Sequence, residues 1–114
     1  METEGLLVSK KAEALLEMIY PSLKNFPKAE KFCLCAEIKS HFYSLIANLE
    51  MANSVPSLRK RYAQEADGHL QTLKVLFRLS RSQKYISEGF YDRISESMTE
   101  INKLLRGYIK SASR

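Results

Sequence analysis

Long apolar runs and a basic leader are absent from this sequence. No stretch approaches the roughly eighteen apolar residues that a membrane-spanning helix needs. The N-terminus, METEGLLVSKK, begins with two glutamates in METEG, where a secretory signal would carry basic residues. We therefore expect a cytoplasmic protein that has no membrane partner.

Glycine, proline and cysteine are scarce. Four Gly and three Pro in 114 residues leave few interruptions, so long helices in a single domain, residues 1–114, are expected. Cys33 and Cys35 lie two apart on a predicted helix, where a step of about 200° sends their side chains to opposite faces. The pair can therefore neither form a disulfide nor hold one metal ion together. We expect Cys35 in the core and Cys33 at the surface.

Catalytic motifs are also missing. The chain has no glycine-rich phosphate loop, no nucleophile elbow and no recurring set of His and carboxylate residues. Small helical ribonucleases of the HEPN type use an Arg and a His that lie closer together than Arg61 and His69 do here. His41 has no ligand partner nearby, and His69 should be a hydrogen-bonded residue at the core boundary. We predict a protein that is not an enzyme, with no catalytic residues, no metal ligands and no cofactor.

Helical periodicity dominates what is present. The stretch from Val55 to Ser82 predicts one long amphipathic helix, because its apolar residues recur at steps of three and four. These residues are Leu58, Tyr62, Ala66, Leu70, Leu73 and Phe77. A first helix is expected from Leu6 to Leu23, with Pro21 ending or kinking it near Tyr20.

Two further helices complete the pattern. The second should begin at Pro27 and end near Ala52, and Ser87 should cap the fourth. The expected buried positions of the second are Phe32, Cys35, Ile38, Phe42, Leu45 and Leu49; those of the fourth are Phe90, Ile94, Met98, Ile101, Leu105 and Tyr108. Four amphipathic helices with short connections predict an all-α, antiparallel up-down-up-down four-helix bundle.

Positive charge is concentrated in the second half of the chain. The net charge is −1 up to Ser54 and +6 from Val55 onward, and every arginine lies in the second part. The planar arginine fork suits phosphate, so this bias favours nucleic acid, although a solvated charged face is the plainer interpretation. The predicted nucleic-acid-binding residues are Lys60, Lys74, Arg78, Arg81, Lys103, Arg106 and Lys110, with Arg114 at the end of the same face.

These residues are expected to form a continuous basic band along the third and fourth helices. No aromatic residue shares the solvent face of Lys74, Arg78 and Arg81, because Phe77 between them belongs to the apolar stripe. Phosphate contacts, rather than base stacking, should therefore supply most of the affinity.

A pattern of residues that extends over nearly the whole chain resembles that of a known protein family. The pattern comprises Tyr20-Pro21, Pro27, Glu30 to Phe32, Leu58, Tyr62, Glu65-Ala66-Asp67, Leu70, Leu73, Leu76, Arg78-Leu79, Ser87, Tyr91 and Gly107-Tyr108. It resembles the Avd accessory proteins of diversity-generating retroelements. These belong to a wider four-helix-bundle family that includes proteins encoded in intervening sequences of bacterial large ribosomal RNA. Tyr108 is a departure, since tryptophan is expected there in many relatives.

The resemblance implies a non-catalytic accessory subunit that binds the element's RNA and its reverse transcriptase and supports mutagenic reverse transcription. It also implies a homopentamer. Lys74 and Arg78 match basic positions of the family's third helix, whereas the other five site residues rest on the face argument above. The alternatives are a protein of the ribosomal RNA intervening-sequence type and a protein-interaction scaffold.

Apolar residues outside the core stripes also favour a ring-forming homo-oligomer over a monomer. Leu34, Tyr43, Tyr91 and Leu104 are the expected interface residues.

Overall fold

The computed structural model describes residues 2–113, so Met1 and Arg114 lie outside the described residues. The four α-helices are α1 (Glu2–Ile19), α2 (Leu34–Ser54), α3 (Arg59–Ser82) and α4 (Glu88–Ala112). Each packs against the next, and α1 also packs against α4, which closes the bundle. Residues 2–113 contain no strand, and the predicted all-α four-helix bundle is confirmed.

The core is built from one buried line on each helix, as the periodicity predicts. Residues of these lines recur at steps of three and four, and their side chains are fully or almost fully buried. They include Val8, Ala12, Leu15 and Ile19 on α1; Ile38, Phe42, Leu45 and Leu49 on α2; Ala66, Leu70, Leu73 and Phe77 on α3; and Ile94, Met98, Ile101 and Leu105 on α4. Within the part of the chain described, no helix is long and apolar enough to cross a membrane.

The connection between α1 and α2 consists of tight turns. The α-helix ends at Ile19, one residue before the predicted position, and the chain continues as a 3₁₀ helix over Tyr20–Asn25. Pro21 lies at the start of that turn, because its fixed φ suits a first helical position and its missing N–H leaves no donor unsatisfied there. Leu23 and Phe26 consequently turn inward and are buried.

The start of α2 differs from the prediction. A second 3₁₀ turn covers Lys28–Glu30, and α2 begins only at Leu34. The prediction that Phe32 is buried is therefore wrong, since its side chain is 83% exposed, and Leu34 is buried in its place. Helical spacing does not extend back through a turn, and Cys33 has the non-helical φ of −117°. Leu34 is thus unavailable to a subunit interface, whereas Tyr43 is exposed as expected.

The start of α3 brings a smaller correction. Pro56–Leu58 forms a 3₁₀ turn before the helix, which leaves Leu58 exposed rather than in the core. The predictions for the cysteines are confirmed, because Cys33 is exposed and Cys35 is buried. Ser87 caps α4 as expected, and its Oγ accepts a hydrogen bond from the backbone N–H of Phe90 at 3.1 Å.

Three helices meet tightly at Asn53. The Tyr108 hydroxyl of α4 donates a hydrogen bond to Asn53 Oδ1 at 2.6 Å. Gly5 of α1 lies so close that a Cβ on it would collide with the same oxygen. Tyr108 is 1% exposed, so this aromatic anchors the core and forms no partner surface.

Candidate nucleic-acid interface

The packing of α4 against α3 determines where the predicted basic residues lie. Lys74 Nζ donates to Asn102 Oδ1 at 3.3 Å, and Gln71 Nε2 donates to the same oxygen at 3.1 Å. Because the two helices are antiparallel, the C-terminal half of α3 faces the N-terminal half of α4. Its hydrogen bond to Asn102 places Lys74, a partly buried residue, at the seam between the two helices.

A small hollow lies beside this seam. We call it the basic hollow; it has a volume of about 180 Å³. Its lining residues are Lys74, Phe77, Arg78, Tyr91, Ile94, Ser95, Met98 and Thr99. Two cations of α3 thus share the hollow with two hydroxyl side chains and a tyrosine of α4. Both kinds of group can bind phosphate oxygens, the cations by charge and the hydroxyls by hydrogen bonding.

Arg81 extends this cluster through an aromatic contact. Its guanidinium lies 4.3 Å from the centre of the Tyr91 ring, within the range of a cation–π interaction. The expectation that no aromatic lies beside Lys74, Arg78 and Arg81 is correct for the solvent face of α3. It is wrong for the surface that α3 and α4 form together, because Tyr91 comes from α4. Tyr91 is 10 residues beyond Arg81 in the chain, so only the pairing of α3 with α4 reveals it.

Asp67 interrupts the predicted basic band. Its carboxylate lies 3.4 Å from the Arg106 guanidinium and also accepts a hydrogen bond from Gln71 Nε2 at 3.0 Å. The Asp67 side chain is 22% exposed and that of Arg106 is 60% exposed. A signal for this was available, because Asp67 occupies the same seven-residue spacing as Lys60, Lys74 and Arg81.

The remaining predicted residues lie beyond this interruption. Lys60 is in the first turn of α3, and Lys103 and Lys110 are in the second half of α4. All three are exposed, and none forms an ion pair with a carboxylate of residues 4–113. The structure therefore gathers Lys74, Arg78 and Arg81 around Tyr91 and separates them from a second basic region near the end of α4.

Two histidines face each other on the opposite side of α3. The Nδ1 atoms of His41 and His69 lie 3.0 Å apart, which confirms the expected hydrogen bond of His69 and provides a partner that the sequence did not reveal for His41. Glu37 Oε1 lies 3.6 Å from His41 Nε2. Over the described part of the chain, no three His, Cys, Asp or Glu residues are placed to hold a metal ion.

These features define a small antiparallel four-helix bundle with a basic surface where its last two helices meet. The chain belongs to the bAvd-like family, whose model matches residues 6–112. This finding confirms the resemblance to Avd proteins and makes the chain, at the level of its family, a protein of the accessory type.

A solved structure shares the fold. It is the crystal structure of a protein of unknown function from the S23 ribosomal protein family of Bacteroides thetaiotaomicron VPI-5482. The two chains are 24% identical with a TM-score of 0.83, and the similarity covers 94% of this chain and 98% of that one. At this identity the likeness supports the fold alone. No curated protein matches the sequence.

Proposed function

We propose that this protein is a non-catalytic accessory subunit of a diversity-generating retroelement. In this role it binds the element's RNA and its reverse transcriptase in the cytoplasm and supports mutagenic reverse transcription. Family membership supports the accessory role. The proposed RNA binding is supported by one observation, which is that Lys74, Arg78 and Arg81 lie together at the seam between α3 and α4.

The chemistry of this site suits a phosphate backbone. No carboxylate of residues 4–113 forms an ion pair with Lys74, Arg78 or Arg81, so their charge is free to act on a ligand. The hydroxyls of Ser95 and Thr99 line the opposite wall and add neutral donors. Lys and Arg that neutralise phosphates release counterions, so binding should weaken steeply as salt increases.

Tyr91 gives this site a second kind of contact. The Arg81 guanidinium already lies over one face of the ring, which fixes a planar cation at the edge of the basic hollow. An unpaired base can stack on such a guanidinium plane without sequence preference. The element's RNA should therefore be bound through its backbone and through single-stranded bases, with little readout of base edges.

The proposed assembly is a homopentamer. Large apolar side chains remain exposed on α2 and α3, where Tyr43 is 52% exposed, Val75 52% and Leu79 44%. Burial of such side chains against a neighbouring copy would stabilise a ring. Light scattering across a size-exclusion peak should give a mass close to five chains, and a monomer at micromolar concentration would contradict the proposal.

Charge reversal at the cluster tests RNA binding. In the triple variant K74E/R78E/R81E, each lost phosphate contact should reduce the salt slope of RNA binding by about one unit. The probe is a fluorescein-labelled RNA hairpin with a single-stranded loop, followed by fluorescence anisotropy at several salt concentrations. We expect the triple variant to lose at least tenfold in affinity.

A charge-matched control separates a site from net charge. The variant K24E/K28E/K31E changes three exposed lysines of the α1–α2 connection by the same total charge. It should keep RNA affinity within about twofold of the wild-type value. Equal losses in both variants would mean that only net charge matters. Unchanged binding in the cluster variant would favour a scaffold that uses these residues against protein.

A further inference from the structure

A groove runs along the connection between α1 and α2 and shares no lining residue with the basic hollow. It has a volume of about 580 Å³, within the range of pockets that bury a ligand. Tyr20, Pro21 and Pro27 supply its exposed apolar surface, and the buried residues Leu23, Phe26 and Cys35 also line it. The groove lies where the chain passes from α1 to α2 through two 3₁₀ turns.

Four lysines surround the groove, and we call the whole feature the lysine groove. They are Lys24, Lys28, Lys31 and Lys39, and no acidic residue lines the groove with them. None forms an ion pair with a carboxylate of the described chain. Glu30, on the same connection, instead accepts hydrogen bonds from the Tyr85 hydroxyl at 2.9 Å and from the Leu34 N–H at 3.3 Å. Lysines therefore dominate the charge of the groove lining.

Two of these lysines lie over exposed aromatic rings. Lys39 Nζ is 5.0 Å from the centre of the Tyr20 ring, and Lys31 Nζ is 5.4 Å from that of Phe32. Tyr20 is 49% exposed and Phe32 is 83% exposed. Tyr20 lines the groove, so its ring favours a position for the Lys39 ammonium there, which reduces the side-chain entropy that a bound anion would have to remove.

We propose that the lysine groove binds an acidic peptide segment of a partner protein. An aliphatic or aromatic side chain of the segment packs on Tyr20, Pro21 and Pro27, and the carboxylates of the segment pair with the surrounding lysines. Charge complementarity selects an anionic partner, and the apolar floor selects an apolar side chain within it.

The test uses peptides as probes. A displayed library of random twelve-residue peptides is selected on the wild-type protein, with counter-selection on K24E/K28E/K31E. Recovered peptides are labelled with fluorescein, and their affinities are measured by fluorescence anisotropy. We expect sequences rich in Asp and Glu around at least one Leu, Phe, Tyr or Trp. Replacement of that apolar residue by Ala should weaken binding at least tenfold, and K24E/K28E/K31E should weaken it by a similar factor.

The RNA-cluster variant K74E/R78E/R81E serves as the matched control, because it carries the same change in charge elsewhere. It should bind the selected peptides within about twofold of wild type. The proposal is overturned if the selection yields no acidic-apolar peptides, or if the Ala replacement leaves affinity unchanged. It is also overturned if both variants weaken peptide binding equally. A large loss of RNA-hairpin affinity in K24E/K28E/K31E would assign the groove to nucleic acid instead.

Discussion

The Nδ1 atoms of His41 on α2 and His69 on α3 lie 3.0 Å apart. At this distance one ring must accept the proton that the other donates, so the contact is unfavourable when both imidazoles are charged. Burial is the main cause that lowers the pKa of His69, and the neighbouring positive charge of His41 lowers it further, while Glu65 opposes the shift. The α2–α3 contact therefore depends on protonation.

Stability should fall as the medium becomes acidic. Unfolded His69 binds its proton near its ordinary pKa of about 6.5, whereas the folded protein binds it only at lower pH. Between the two pKa values the unfolded state carries more protons, so stability is lost as pH falls through this window. Urea midpoints from circular dichroism at several pH values measure the effect. H69Q should flatten the dependence, and an unchanged slope would exclude His69 as its source.

G5A should destabilise the bundle by about 1–3 kcal/mol, because the added methyl would collide with Asn53 Oδ1 and over-pack the junction. The matched control is G68A, since Gly68 lies within α3 and an added Cβ there meets no atom within 4 Å. That change should stabilise by up to about 1 kcal/mol through helix propensity. Urea unfolding measures both, and a loss of stability in G68A equal to that in G5A would contradict the packing explanation.

D67N should increase RNA affinity. The substitution removes the carboxylate that pairs with Arg106 and releases a guanidinium that is 60% exposed. The effect should be a few-fold at low salt and should shrink as salt increases, since exposed charges are screened. The control is E100Q, which removes the carboxylate partner of Lys11 and changes net charge equally. Equal gains in the two variants, measured by anisotropy with the same RNA hairpin, would show that total charge alone matters.

Thiol alkylation should distinguish the two cysteines. Burial raises the pKa of the Cys35 thiol, and its Sγ lies 3.6 Å from the Leu23 carbonyl oxygen as a hydrogen-bond donor. Cys33 is exposed. Because the thiolate is the nucleophile, native protein treated with iodoacetamide near neutral pH should gain one adduct quickly, on Cys33, and a second only after unfolding. Mass spectrometry of peptides assigns the sites, and rapid labelling of Cys35 in folded protein would contradict its burial.

The sequence predicted the helices well where periodicity was long and failed where the chain turned. Leu70, Leu73 and Phe77 lie within 24 residues of continuous helix, so their spacing translates directly into one buried face. Phe32 and Leu34 lie at a junction between turns and helix. At this junction the backbone angles decide which side chain points into the core, and these angles leave no periodic pattern in the sequence.

The candidate site could likewise be predicted from the sequence only in part. Lys74 and Arg78 could be assigned to one solvent-facing side of α3 from spacing alone. The contacts of Tyr91 with Arg81 and of Asp67 with Arg106 depend on how far α4 is shifted along α3. That shift follows from packing between helices. The contact of Asp67 with Arg106 and the position of Tyr91 at the basic hollow could therefore not be predicted from the sequence.

The junction of Gly5 with Asn53 and Tyr108 has a practical consequence for labelling the protein. It brings the first turn of α1 and the last turns of α4 to one end of a bundle 44 Å long. The lysine groove and the basic hollow lie toward the opposite end, where α1 stops and α4 begins. A fluorophore attached in the last turns of α4 therefore lies at the end of the bundle opposite both surfaces.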